Sequence, residues 1–503
     1  MSSGAPNDRL DDRRSRFDVA IIGAGPAGAA AARQLAAWGH AVALIGRAPG
    51  PRTLAESLPP SCTKLFERLG VRDAIDAGGF VRASGNTVQW GGQPKRVEPF
   101  DAGTFGYQVR RDRFDALLLG AAGDAGATIV ADAIVRDIQR DGDEWRVMYD
   151  RGSRQEVMRA PWVLDCSGRA GVVARRGWRE SERSSRTTAL IGVWENDQLW
   201  RVDDDTHTLV ESYDGGWAWS VPVSQNRRFV TVMLDPTVSS VPHRGQFAAA
   251  YQRELARTRM LAALIDGATM IDTPWGCDAS PYFAPVAARD AVLLVGDAAS
   301  FVDPLSSFGV KKALASAWLA SVAVHTSLLD AAMASVALDM FSNRERSMYH
   351  HLQRQSADLS RQAAGGHASD FWRGRAEPGL EESRADLDIA ALRSDPRVLG
   401  AFEELKSRAS VHLRRVESTR VVSQATVRGN RIVLEEHLVA PEIPAGIRYC
   451  RNVDLVAIAR LAPDYEQVPD LFEAYNRAAP PAPLPDFLGA LSTLIGLEML
   501  SLA

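Results

Sequence analysis

Two short apolar runs, each closed by glycine, set the first predictions. Phe17 to Ile22 is mostly apolar, the pattern of a buried parallel strand. Gly23-Ala24-Gly25-Pro26-Ala27-Gly28 follows, then Ala29 to Leu35, a strong helix former. Gly39-His40 closes that helix, and Ala41 to Ile45 reads as a second strand. Ala291 to Val295 repeats the theme: an apolar strand runs into Gly296-Asp297-Ala298-Ala299, and a helix begins near Lys311. In Gly216 to Pro222, strand alternation puts Trp217 and Trp219 on one face. Beyond residue 330 the character changes. Met340 to Gln362 is a polar helix, and 363–385, rich in Gly, Glu and Arg, reads as a linker. The valines between Arg414 and Arg428 follow neither period. Gly429-Asn430 is a turn signal before a strand at Arg431 to Val439, and Pro441 to Gly446 breaks the pattern. Pro463 and Pro469 keep any helices between Leu455 and Leu471 short, and Leu488 to Leu500 is a helix whose apolar face docks onto the protein body.

Length and charge narrow the function classes. At about 150 residues per domain, 503 residues suggest roughly three units. Lys+Arg 58 against Asp+Glu 62 gives −4, so no basic surplus points to nucleic acid. No run is apolar enough for a membrane span. Arg13-Arg14-Ser15-Arg16-Phe17 resembles a twin-arginine export signal, but its hydrophobic region would consume the glycine motif, so it reads as a charged leader. Cys62, Cys166, Cys277 and Cys450 lie far apart and form no CxxC, which fits a reducing cytoplasm. The adjacent His350 and His351 do not share a helix face, which argues against a metal site. Twelve Trp outnumber 9 Tyr, and six of them (Trp178, Trp194, Trp200, Trp217, Trp219, Trp275) fall in residues 175–280.

The glycines have distinct tasks. Gly23 permits a tight turn, Gly25 lets a pyrophosphate approach the backbone, and Gly28 lets helix pack against strand, with Pro26 and Ala27 opening the helix. A GxGxxG in strand–turn–helix–strand context is a strong dinucleotide signal. After the second strand an acidic residue is expected on the ribose, but Gly46 and Arg47 stand there. Arg47 is therefore a candidate contact to the adenosine or its phosphates.

Further elements carry a resemblance. Gly296-Asp297, with Phe301-Val302-Asp303-Pro304-Leu305-Ser306-Ser307-Phe308-Gly309-Val310 after it, resembles the second FAD fingerprint of flavoprotein monooxygenases. Val109-Arg110-Arg111-Asp112-Arg113-Phe114-Asp115-Ala116-Leu117-Leu118 matches the V-x-R-x-x-F-D-x-x-L of that superfamily, and Asp165-Cys166-Ser167-Gly168 its D-x-S-G element. The resemblance implies FAD, with Arg111 reaching the cofactor, Asp297 accepting from a ribityl hydroxyl, and Pro304, Gly309 and Val310 facing the flavin at a helix N-terminus. It implies an α/β fold: a Rossmann-type FAD-binding domain in three pieces (16–78, 105–175 and 285–330), an inserted β-sheet substrate domain (79–104 and 176–284), and a mainly helical C-terminal region (331–503).

Within the superfamily the chain resembles the tryptophan-halogenase-like branch. Gly216-Trp217-Ala218-Trp219-Ser220-Val221-Pro222 matches W-x-W-x-I-P with Val for Ile, and Ala55-Glu56-Ser57, Gly79-Phe80 and Gln89-Trp90-Gly91 also fit. The lysine that receives hypohalous acid in that branch falls at Ala83, beside Arg82, and no Lys lies between Lys64 and Lys95. Arginine stays protonated and does not replace it. The glutamate of the P-L-E-S-T-G segment is replaced in Pro304-Leu305-Ser306-Ser307. The reading is an FAD-dependent monooxygenase that hydroxylates an electron-rich aromatic such as indole, phenol or pyrrole. The substrate is a small molecule or a peptide, with peptide-bound tryptophan in quinone-cofactor maturation one candidate. The alternatives are a halogenase with a displaced lysine, a flavin-binding scaffold without turnover, and an isoprenoid-chain reductase. With one GxGxxG in the chain, a separate flavin reductase is a candidate partner.

Overall fold

The structure, a computed structural model, describes residues 16–47, 50, 52–181, 186–237, 239, 247–306, 308–377, 391–408 and 410–502. The charged leader at residues 13–15 lies outside these. The chain divides into two compact units, 1–381 and 382–503. Among the described residues no helix is long and apolar enough to cross a membrane.

The first unit is built on a six-stranded sheet. Its order is Ala288–Arg289, Val292–Leu294, Trp162–Asp165, Val19–Ile22, Val42–Ile45 and Thr128–Val130, parallel except at the Ala288–Arg289 edge. Val19–Ile22 and Val42–Ile45 are buried at every position, so they carry apolar runs where a half-exposed strand would alternate. The helices Pro26–Ala37 and Gly309–Leu329 pack against each other, and the alanines of the first allow a close approach.

A second sheet runs Thr269–Met270, Thr188–Glu195, Arg227–Leu234, Gly216–Pro222, Thr208–Tyr213, Gly85–Gln89 and Arg96–Pro99, with Trp275–Asp278 also paired to Thr188–Glu195. Alternation divides its side chains between two cores. Leu190, Trp194, Trp200 and Val230 pack under the helices Phe247–Leu255 and Met260–Leu264, where Trp194 Nε1 donates to Tyr251 Oη at 2.8 Å. Ile191, Trp217, Met233 and Trp275 pack on the opposite face. The tryptophan excess is therefore split by the two faces of the sheet, and does not form one wall.

The polar helix extends over Ala334–Ala364, longer than its polar pattern. The linker expected over 363–385 is partly wrong: Asp370–Ala376 is a helix with Phe371 and Trp372 buried against the Trp217 face. Trp372 Nε1 donates to Tyr213 O at 2.9 Å. The chain before this helix meets the turn that follows Gly85–Gln89 at a glycine pair, where a Cβ on Gly366 would lie 2.0 Å from Gly91 O. Residues 378–390 lie outside the described range.

The second unit has its own core, with Leu438, Leu455, Ile458, Leu471, Phe487, Leu491 and Leu494 all buried. The hairpin Arg420–Arg428 and Arg431–Ala440 is joined by Ile443–Ile447. Arg420–Arg428 is nowhere fully buried, which is why its valines show no period. Pro444 sits on an edge strand, where a missing N–H is tolerated, and the pairing shifts register across it, between Leu438–Ile447 and Ala440–Ile443, so the break expected over Pro441 to Gly446 is an irregularity within a strand. The apolar helix spans Leu484–Gly496, and the chain turns at Glu498 (φ 54) into the strand Leu500–Leu502.

Candidate cofactor and substrate site

A cavity of about 950 Å³ opens at the carboxyl ends of the parallel strands, where open α/β sheets bind ligands. Gly23, Gly25, Pro26, Ala27, Arg47, Arg111, Asp297, Pro304, Gly309 and Val310 all line it. Gly28 alone among the expected residues lies behind the wall. A Cβ there would sit 1.8 Å from Gly23 O, so it serves the turn itself. Gly23 holds φ +108 against Cys166 O, 2.4 Å from where its own Cβ would be. Gly25 differs. A Cβ on it meets only Arg111 Nη2, at 3.9 Å, so its backbone is open to the cavity at the N-terminus of Pro26–Ala37. Bare backbone, a helix N-terminus and a long cleft suit a dinucleotide pyrophosphate.

Each of the other fingerprints has a visible cause. Arg111, first in the helix Arg111–Asp124, grips Asp115 with two hydrogen bonds (Nε–Oδ1 2.9 Å, Nη2–Oδ2 3.0 Å) and reaches Glu56 Oε1 at 3.4 Å. Phe114 and Leu118, both buried, anchor that helix, so the spaced F-D-x-x-L residues fix the guanidinium from two sides. Burial pushes the Glu56 carboxyl up against the opposing pull of Arg111. Buried Asp165 ties the strand-end loop, accepting from Ser167 N at 3.0 Å, Val173 N at 2.7 Å and Ala174 N at 3.1 Å. The Asp297 backbone is held where Tyr282 Oη and Arg179 Nη2 each donate to its carbonyl at 2.8 Å. Its carboxylate pairs with buried Lys312 at 3.2 Å.

Behind Lys312 stands Glu345, from the Ala334–Ala364 helix. It is buried, its Oε2 lacks a hydrogen-bond partner, and burial pushes it up to about 7, opposed by Lys312. Nothing in the local pattern marked Lys312 or Glu345, because their partners are distant in sequence.

At the far end of the cavity stand Thr208, Val210, Trp217, Trp219, Phe301 and Leu305. Trp217 and Trp219 stack with centroids 4.6 Å apart and planes at 24°, as two same-face residues of one strand can. Ala83 is 1% exposed and does not line the cavity. Its neighbour Arg82 turns to Asp76, at 3.6 Å, and to the Phe105 ring. Among the described residues no lysine lines the cavity. Ser306 lies in the short turn Pro304–Ser306.

Comparison with known proteins gives the family. The FAD binding domain family matches residues 16–332. The tryptophan 2-halogenase of Chondromyces crocatus is 28% identical over 333 residues, covering 62% of each protein. A 1H-pyrrole-2-carbonyl-[peptidyl-carrier protein] chlorinase of Pseudomonas fluorescens is 27% identical, over 61% of this chain and 75% of its own length. The match thus spans less than two thirds of the first of these relatives. Among solved structures, the flavin-dependent halogenase CmlS has a TM-score of 0.77 at 24% identity, over 97% of this chain and 96% of its own. The peptidyl tryptophan dihydroxylase QhpG, essential for tryptophylquinone cofactor biogenesis, has a TM-score of 0.69 at 22% identity, over 96% and 99%. These two likenesses show the fold. The chain belongs to the FAD binding domain family, and FAD is its cofactor.

Proposed function

We propose that this chain is an FAD-dependent monooxygenase that hydroxylates an electron-rich aromatic ring, with indole, phenol and pyrrole the candidate classes and peptide-bound tryptophan among the candidate substrates. Gly23, Gly25, Pro26 and Ala27 would hold the pyrophosphate, with Gly28 packing the helix beneath it. Arg47 would reach the adenosine end, Arg111 and Asp297 the middle of the cofactor, and Pro304, Gly309 and Val310 the flavin. Bound FAD, once reduced, supplies oxygen activation. The protein's part is to orient the ring and exclude water, which the stacked Trp217/Trp219 pair and its apolar neighbours suit.

The observation that carries this reading is the cavity lining: among the described residues it holds a stacked tryptophan pair and no lysine. A halide relay needs an amine whose proton can be lost, which a guanidinium does not supply, and Arg82 turns to Asp76 and does not line the cavity. The relatives' names favour a second reading, halogenation through a lysine from elsewhere. The test supplies reduced FAD, oxygen and bromide with indoles, phenols and pyrroles and weighs the products. One added oxygen supports the proposal, and added bromine overturns it. A separate reductase would deliver the reduced flavin, since the chain carries one GxGxxG. The FAD-binding part would comprise 16–78, 105–175 and 285–330, and the substrate part 79–104 and 176–284. Four free cysteines fit work in the cytoplasm.

A further inference from the structure

We infer that Lys312 and Glu345 are positioning residues for FAD: without reaching the cavity, they hold the Gly296-Asp297 turn from behind in the shape that meets the cofactor. The inference rests on the assignment of Asp297 to the cofactor. It adds a support from outside the matched family, since Glu345 stands on Ala334–Ala364 and the FAD binding domain match ends at residue 332. Asp297 lines the cavity, and neither Lys312 nor Glu345 does. Lys312, on Gly309–Leu329, is buried, its side chain 5% exposed. Its Nζ donates to Asp297 Oδ1 at 3.2 Å, to Ser300 O, and to Ser300 Oγ at 3.4 Å. Burying an ammonium is costly unless its charge is paired and its donors are used, and these contacts use them. They also tie the turn to the strand Ser300–Phe301, whose Phe301 stands on the cavity wall.

Glu345 meets the same turn by two routes. Its carboxyl faces the Lys312 ammonium and the Ser316 hydroxyl. Ser316 Oγ accepts the Gly296 N–H at 2.9 Å, so its own hydrogen is left for Glu345. One carboxyl thus stands behind both residues of the pair, behind Gly296 through Ser316 and behind Asp297 through Lys312. Arg111, Arg169 and Arg179 act on the Asp297 carboxylate through space, whereas Lys312 touches it and fixes one oxygen. With one oxygen fixed, the carboxylate presents the other at a set angle, and a hydroxyl donor is sensitive to that angle. Well-packed apolar residues in place of Lys312 and Glu345 would stabilise the fold as well or better, which separates a positioning role from a purely structural one.

The test strips flavin from the purified full-length protein and titrates FAD back, following the change in flavin fluorescence, with a thermal melt of each apoprotein beside it. Wild type, Asp297→Asn, Lys312→Met, the double variant of these, Glu345→Gln and Glu345→Leu are compared. Lys312→Met and Glu345→Leu keep most of the volume and remove the polar contacts, so their apoproteins should still melt cooperatively. FAD should bind them about tenfold more weakly, the scale of one charge-assisted hydrogen bond. Glu345→Gln keeps an acceptor for Ser316 and Lys312 and should hold FAD within about threefold of wild type. Because Lys312 acts through Asp297, the double variant should bind no more than about twofold more weakly than Asp297→Asn alone. Wild-type affinity in Lys312→Met or in Glu345→Leu overturns the inference, as do losses at 297 and 312 that multiply, or a Gln variant as weak as Leu. If Lys312→Met fails to fold, the comparison of Gln with Leu at 345 decides. Asp297→Asn that binds FAD as tightly as wild type refutes the assignment of Asp297 and this inference together. A weakened Asp297→Asn beside an unaffected Lys312→Met refutes this inference alone.

Discussion

Arg111 is the residue on which the middle of the cavity turns. Removing it leaves Glu56 and Asp115 partly buried and facing each other without their cation, a loss of about 3 kcal/mol by the usual cost of breaking such a pair. Arg111→Ala should therefore lower both the melting temperature and FAD retention after dialysis. Arg111→Lys should fall between, since it keeps the charge and loses the fork. Glu345 gives the converse case. Burial raises it from 4.5 to about 7 in the fold, so its contribution is fully present below pH 4.5 and lost as pH rises through about 7. The shift corresponds to roughly 3 kcal/mol. Glu345→Gln should be more stable than wild type at pH 9, with the gap closing toward pH 4.5, as read by thermal melts across pH. The sequence made the glycines, Arg111 and Asp297 legible because local spacing states their task. Glu56 stood in a quoted motif without a role, and Lys312 and Glu345 were invisible, since only packing brings Lys312 to Asp297 and Glu345 to Lys312.

At the level of elements, two glycines three positions apart should separate fold from binding. Gly25→Ala adds a methyl that meets nothing closer than 3.9 Å, on a backbone with φ −78 that alanine accepts. Its apo protein should melt like wild type while FAD affinity falls, because the methyl stands where phosphate approaches. Gly28→Ala drives a methyl to within 1.8 Å of Gly23 O, and should yield little folded protein. The opposite pair of outcomes would refute the assignment of Gly25 to the pyrophosphate. The segment Asp370–Ala376 was read as linker because charge and glycine dominate around it. Its two anchors, Phe371 and Trp372, are too few to establish a period. Trp372 is fully buried, so Trp372→Ala should cost about 3–5 kcal/mol, measurable by denaturant unfolding.

On the scale of the whole molecule, the α/β class and the FAD signature were readable because parallel strands and phosphate loops leave dense local marks. The second unit left weaker ones. Its hairpin is half-exposed, so hydrophobic alternation is diluted, and its third strand contains a proline. With a core of its own, residues 382–503 should fold when expressed alone, giving a cooperative melt and a dispersed NMR spectrum. The tryptophan excess also changes meaning at this scale. Among the described residues Trp217 and Trp219 are the tryptophans that line the cavity, while Trp194 and Trp200 brace the other side of the sheet. The central claim is that this aromatic-walled, lysine-free cavity directs oxygen to a ring. Turnover of an accepted indole, phenol or pyrrole with reduced FAD under ¹⁸O₂, with bromide present, tests it most directly. The account predicts a product carrying one ¹⁸O atom and no bromine; a brominated product, or one formed without oxygen, would contradict it.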